Sequence, residues 1–170
     1  MEIVESGVKF GPFEEIDIFQ IEKVTNFVPD AKAVEFIWIR DHISSMIFVE
    51  AKSSFSKPES TDDFAMNLKD IYQKFTDSLL ILLSTHCNRN QNLADCLPEK
   101  FRNINWSSMN IHFRLVIPNF KSEWLQPISD ALRMQCKHIL GAFKINKLNI
   151  SILNKEMAIK QGLIIEDENV

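Results

Sequence analysis

The sequence predicts an α/β fold: a single domain with a mixed β-sheet flanked by helices on both faces. Three observations carry this. A hairpin-like pair of segments, 33–39 and 45–52, is apolar on both faces, as strands covered on both sides must be. From there on, helical and strand patterns alternate, the signature of a layered α/β arrangement. The chain has 170 residues, enough for one domain with a proper core.

The elements follow in order. Residues 1–12, punctuated by Gly7, Gly11 and Pro12, read as a ragged start, and 165–170 as a ragged acidic end. Residues 16–24 have strand character, with Phe19 and Ile21 pointing one way and Gln20 and Glu22 the other. In the hairpin, Val34, Phe36 and Trp38 take one side and Ile37, Ile39 and Phe48 the other. Residues 53–63 form a polar loop containing Pro58. An amphipathic helix follows, with Phe64, Leu68, Ile71, Tyr72, Phe75, Leu79 and Leu82 at helical spacing and Ser60, Thr61 and Asp62 as N-cap choices. Its polar face holds Lys69, Asp70, Gln73, Lys74 and Asp77. Residues 88–108 read as a long loop with room for one short helical turn at 92–96, either a substrate-facing flap or a mobile connection. Ile111, Phe113, Leu115 and Ile117 alternate along a strand that Pro118 stops. A helix from about Glu123 to Phe143, N-capped by Ser122, tolerates Pro127 near its first turn. Residues 147–153 form a further strand with Leu148, Ile150 and Ile152 on one face. Asn154 caps a last short helix that ends at Gly162.

The hairpin carries the chemistry. Four residues, 41–44, separate its strands. A symmetric loop pairs positions whose numbers sum to 85, which sets Glu35 opposite Glu50 and Ala33 opposite Lys52. Glu50 and Lys52, two apart, share a face. Two facing carboxylates repel. A divalent cation between them resolves the repulsion, and without one Glu35→Gln or Glu50→Gln should relieve it.

Glu35 followed by Glu50-x-Lys52 across a hairpin resembles the core of the PD-(D/E)XK nuclease superfamily. In that family an acid on one strand and (D/E)-x-K at the end of the next hold magnesium and assist the attacking water. The first acid is usually Asp, and here it is Glu35. Pro29-Asp30 precedes the strand and is not the motif. The segments Ile21-Glu22, Val34-Glu35-Phe36 and Glu50-Ala51-Lys52-Ser53-Ser54 also make most of the chain similar to small bacterial and phage-type proteins that bring no activity with them. The family resemblance implies a restriction-endonuclease-like core and a nuclease cleaving nucleic acid, DNA foremost, with Mg²⁺ or Mn²⁺ as cofactor. It implies Glu35, Glu50 and Lys52 as catalytic residues and Glu35, Glu50 and Glu22 as metal ligands. Ser53, Ser54, Lys69, Gln73 and Lys74 are candidate substrate contacts. Glu22 reads more readily as a solvent-facing glutamate than as a ligand, and the helix's polar face at least as readily as simply solvated. An inactive nuclease-fold binding or assembly subunit, acting as a homodimer or in a larger complex, is the alternative function. A structural Glu50–Lys52 ion pair in an unrelated α/β domain is a third.

The bulk numbers exclude little. A formal net charge of −4 gives no global pull toward nucleic acid. Cys87, Cys96 and Cys136 lack metal-ligand spacing and read as free thiols in a reducing cytoplasm. No signal peptide is expected, and the longest apolar run, residues 78–84, is too short to span a bilayer. The four histidines are scattered, and there is no glycine-rich phosphate loop and no G-x-S-x-G elbow. Trp106 and Trp124 flank the strand that begins at Asn110 and fit packing better than base stacking.

Overall fold

A computed structural model describes residues 1–165. Seven strands and six α-helices are present among them: β1 (Ile3–Glu5), β2 (Val8–Phe10), β3 (Ile18–Phe19), β4 (Phe36–Arg40), β5 (Ser45–Ala51), α1 (Thr61–His86), α2 (Gln91–Ala94), α3 (Glu99–Arg102), β6 (Asn110–Val116), α4 (Ser122–Gln135), α5 (Lys137–Phe143), β7 (Ile150–Leu153) and α6 (Lys155–Lys160). Strands β3 to β7 form one mixed sheet in sequence order, antiparallel from β3 to β5 and parallel from β5 to β7. Strand β5 is central, and all seven of its residues are buried.

The hairpin register is the symmetric one: Phe36 pairs with Val49, Ile37 with Phe48 and Arg40 with Ser45. Loop length explains it, because a 3-10 turn at Asp41–Ile43 and a left-handed Ser44 (φ 46°) close the four-residue connection. The ladder ends at Phe36, so Ala33 is not paired with Lys52. Upstream of Phe36 the chain bends toward α1: the Val34 N–H donates to the Ser78 hydroxyl (2.9 Å) and the Lys32 N–H to the Asp77 carboxylate (3.0 Å).

The strand order runs one way, so two parallel crossovers of the same hand place α1 and α4 on one face of the sheet. Ile37, Ile39, Met46, Phe48, Phe113, Ile150 and Ile152 meet Ile71, Phe75, Leu79, Ile128 and Leu132 there. The second face carries Phe36, Ile47, Val49, Ala51 and Val116. Its cover is mainly the β1–β2 hairpin, with only the short α6 as a helix, so the helical layer is lopsided. The opening residues are therefore not ragged. Ile3, Val8 and Phe10 are buried, and Ser6 (φ 50°) with Gly7 (φ 75°) make the left-handed two-residue turn a tight hairpin needs. Of the expected ragged end, Ile165 has no regular structure and 166–170 lie outside the described residues.

Other departures have local causes. The expected strand at 16–24 is only β3, followed by 3-10 turns over Ile21–Phe27. The long loop is anchored by α2 and α3, because Leu93, Leu97 and Phe101 at four-residue spacing drop into the core. It is not a flap. The helix expected at about 123–143 breaks into α4 and α5 around the buried Cys136, and Lys121 rather than Ser122 precedes its first turn. Leu148 falls in a 3-10 turn and is exposed, while Ile150 and Ile152 are buried. Asn154 does cap α6, accepting from the Met157 N–H at 3.0 Å. No helix among the described residues is long and apolar enough to cross a membrane.

Candidate functional site

Sheet geometry brings the hairpin acids to one place. Glu50 lies one step past the last antiparallel pair, on the face that α1 covers, and Glu35 stands at the matching position before β4. Glu50 is fully buried; the side chain of Glu35 is 10% exposed. Helix α1 crosses above them and lowers Lys74 between them. Its ammonium is 2.7 Å from Glu50 Oε1 and 4.0 Å from Glu35 Oε1. The place expected for a cation between the two acids thus has one supplied by the chain.

The lysine answers only part of the charge. Glu50 Oε2 is buried and has no hydrogen-bond partner. Lys52, one-third exposed, stands 3.5 Å from Glu50 Oε1 and 3.3 Å from Asp70 Oδ2, and Lys32 binds the same Asp70 at 2.7 Å. Burial raises the Glu50 carboxyl above the usual range, although Lys74 and Lys52 pull it down. Burial would lower the Lys74 ammonium, but Glu50, Glu35 and Glu22 outweigh it and raise it. Desolvation opposes the lowering of Asp70, where Lys32 and Lys52 prevail.

Glu35 is the most perturbed acid. Burial, a hydrogen bond to Glu22, and the charges of Glu50 and Glu22 push it up to about 8, against the pull of Lys74. It is therefore mostly protonated at neutral pH and donates to Glu22. Glu22 comes from the 3-10 turns after β3, not from a strand, and is exposed. Glu5, at the end of β1, joins them: Glu5, Glu22 and Glu35 each present a carboxylate oxygen within 4.8 Å of the others. Such a triad could hold a metal ion, and Glu50 lies outside it.

Of the candidate substrate contacts, Lys74 belongs to the acid pair itself. Gln73 donates to Asp77 at 3.3 Å, and Lys69, Ser53 and Ser54 are exposed, the two serines directly after Lys52. Sequence reasoning missed Glu5, Asp70 and Lys32 as members of the site. A signal for Glu5 existed in the Ile3-to-Phe10 alternation around Ser6-Gly7. For Asp70 it was the four-residue spacing to Lys74, which places both on one helix face. The tryptophans stand apart from these acids: Trp106 meets His86 edge-on, and the Trp124 ring lies 4.8 and 5.1 Å from the Lys57 and Lys121 ammoniums. All three cysteines are free thiols, and only Cys136 is buried.

No protein-family model, curated protein or solved structure matches this chain.

Proposed function

We propose that the chain is a divalent-metal-dependent nuclease hydrolysing nucleic-acid phosphodiester bonds, with DNA as first substrate. The observation that carries this reading is Glu50, a fully buried carboxylate at the end of the central strand with one oxygen unpartnered. Burying an ionised group without full compensation is costly, and a divalent cation would supply the compensation. The donor type fits: Mg²⁺ and Mn²⁺ take carboxylate oxygens, which Glu5, Glu22 and Glu35 present within 4.8 Å of one another, with Glu50 beside Glu35 across Lys74.

Glu35 and Glu50 would hold the ion, with Glu22 as a further ligand. A bound ion supplies Lewis acidity and a water of lowered pKa. The protein's own groups do the rest. Lys52 presents its ammonium at the open side, where it neutralises charge developing on a phosphate. Asp70 restrains Lys52, and Lys74 favours the ionised form of Glu50. Glu35 must lose its proton to serve as a ligand, so metal affinity should rise with pH up to about 8.

A second reading rests on Lys74. Its ammonium already stands beside both acids, which suits an inactive nuclease-fold binding or assembly subunit that needs no metal. Calorimetric titration with Mg²⁺ and Mn²⁺, on wild type and Glu50→Ala, separates the two. The nuclease reading expects saturable binding lost in Glu50→Ala. It also expects metal-dependent cleavage of single-stranded or duplex DNA or RNA. Lys52→Ala should abolish cleavage and keep metal binding; loss of Glu22 should matter less. A folded, metal-blind wild type that cleaves none of these substrates leaves the second reading standing.

A further inference from the structure

The opposite face of the sheet holds a second cluster of charge, independent of the acids. Arg40 at the end of β4, and His112 and Arg114 on β6, project to the face that Glu50 does not share, since Ile47 pairs with His112 and Val49 with Arg114. Together with Ile47, Gln161 and Leu163 they line a cleft of about 470 Å³.

The two arginines differ in how well they are held. Arg114 donates from Nε to Gln161 Oε1 (2.8 Å), from Nη1 to the carbonyls of Phe113 (3.1 Å) and Asn149 (2.6 Å), and from Nη2 to His112 Nδ1 (3.2 Å). All four acceptors are neutral. Arg40 is loosely held: its Nη1 reaches the Gln161 carbonyl at 3.5 Å, its Nη2 faces the exposed His42 at 3.3 Å, and its Nε is buried without a partner. Its guanidinium lies 4.8 Å from the centre of the Trp38 ring. Among the described residues no carboxylate lies within ion-pair distance of either guanidinium.

Because Arg114 is a donor, His112 Nδ1 must accept, which leaves the proton on Nε2, 3.3 Å from Ser45 Oγ. Burial, then the charges of Arg114 and Arg40, hold this imidazole at about 4, so it is neutral at pH 7. Two guanidinium charges therefore share a half-buried cleft in which no carboxylate among the described residues pairs with them; the Lys160 ammonium, which also lines it, is already paired with Glu156. A carboxylate would balance one guanidinium; a phosphate near −2 balances both and matches the loosely held fork of Arg40. The apolar side chains of the exposed Ile43 and the partly exposed Ile159, which also line the cleft, give an attached organic group a surface to cover.

We propose that this cleft binds a phosphate group carried by a small organic molecule, gripped by the loosely held Arg40 guanidinium beside the fixed charge of Arg114. The test is calorimetric titration of the full chain with inorganic phosphate, phenyl phosphate and acetate, with the histidine ring signals followed by NMR and His112 assigned from His112→Asn. Saturable binding of both phosphates is expected, phenyl phosphate the tighter and acetate at least about tenfold weaker, with the His112 signals moving on phosphate addition. Arg40→Gln should weaken phosphate binding about tenfold, the effect of losing one charge-assisted donor, and Arg40→Lys should fall between. Equal affinity for inorganic and phenyl phosphate would assign the cleft to free phosphate and overturn the organic ligand. No saturable phosphate binding, unmoved His112 signals, or unchanged affinity in Arg40→Gln would overturn the site altogether.

Discussion

Glu50 sits on the central strand and Arg114 on its neighbour β6, yet the two faces of the sheet treat a buried charge differently. Glu50 has a counter-ion: Lys74 at 2.7 Å, with Lys52 behind it, and one oxygen left over. Arg114 has no counter-ion among the described residues and is held by neutral acceptors that occupy each of its nitrogens. Removing one member of an ion pair strands the other charge in the interior. Removing a charge held only by dipoles strands carbonyls, whose desolvation is less costly. The difference also runs through pH, because the acid face favours proton uptake and the basic face resists it.

Four substitutions would break or sharpen this contrast. The largest effect belongs to Lys74→Met, which leaves Glu50 unpaired. Urea denaturation at pH 7 in chelator should show a loss of about 3 kcal/mol. Combining it with Glu50→Leu should recover most of that loss, and if it does not, the pair is not what stabilises this face. Arg114→Met comes next, at about 1–2 kcal/mol, since only neutral groups lose a partner. A loss exceeding that of Lys74→Met would reverse the comparison.

The third substitution reads the pH dependence of the acid face. Glu35 is raised from the ordinary value of 4.5 to about 8 in the folded chain. Between these values the folded state holds a proton that the unfolded state has released. Its contribution to stability is therefore whole below about 4.5 and declines as pH rises to about 8. Glu35→Gln, in chelator, should remove this decline and make the protein more stable than wild type at pH 8. The expectation that Glu50→Gln also stabilises by relieving repulsion does not survive Lys74: that change leaves a half-buried ammonium without its nearest anion, and should destabilise.

The smallest effect belongs to His112, lowered from 6.5 to about 4. Here the unfolded state takes the proton first. Stability is present above about 6.5 and declines as pH falls toward 4. His112→Asn keeps an acceptor for Arg114 and should flatten the stability profile between pH 4 and 6.5, with little change at pH 8. Denaturation curves across this range, run beside Glu35→Gln, would show the two faces acting in opposite directions.

Part of this architecture is legible in the amino-acid sequence alone. Loop length and the two-residue strand period are local properties, and they determined the register whose last pair, Phe36 with Val49, leaves Glu35 and Glu50 at matching positions just beyond the ladder. The apolar spacing of α1 and the alternation along β6 identified those elements for the same reason. What the sequence could not determine is where long side chains end. Lys74 lies on the polar stripe of α1 with Lys69 and Asp70, and nothing local separates a solvated lysine from one lowered onto a buried carboxylate. Docking of α1 decides that, because the crossover from β5 to β6 sets which turn of the helix passes over Glu50. The same holds for Glu5, brought to Glu22 and Glu35 by a hairpin whose turn is local but whose place against the sheet is not. Register follows from neighbours in the chain; the pairing of charges follows from packing between elements far apart in it, and only the folded structure supplies it.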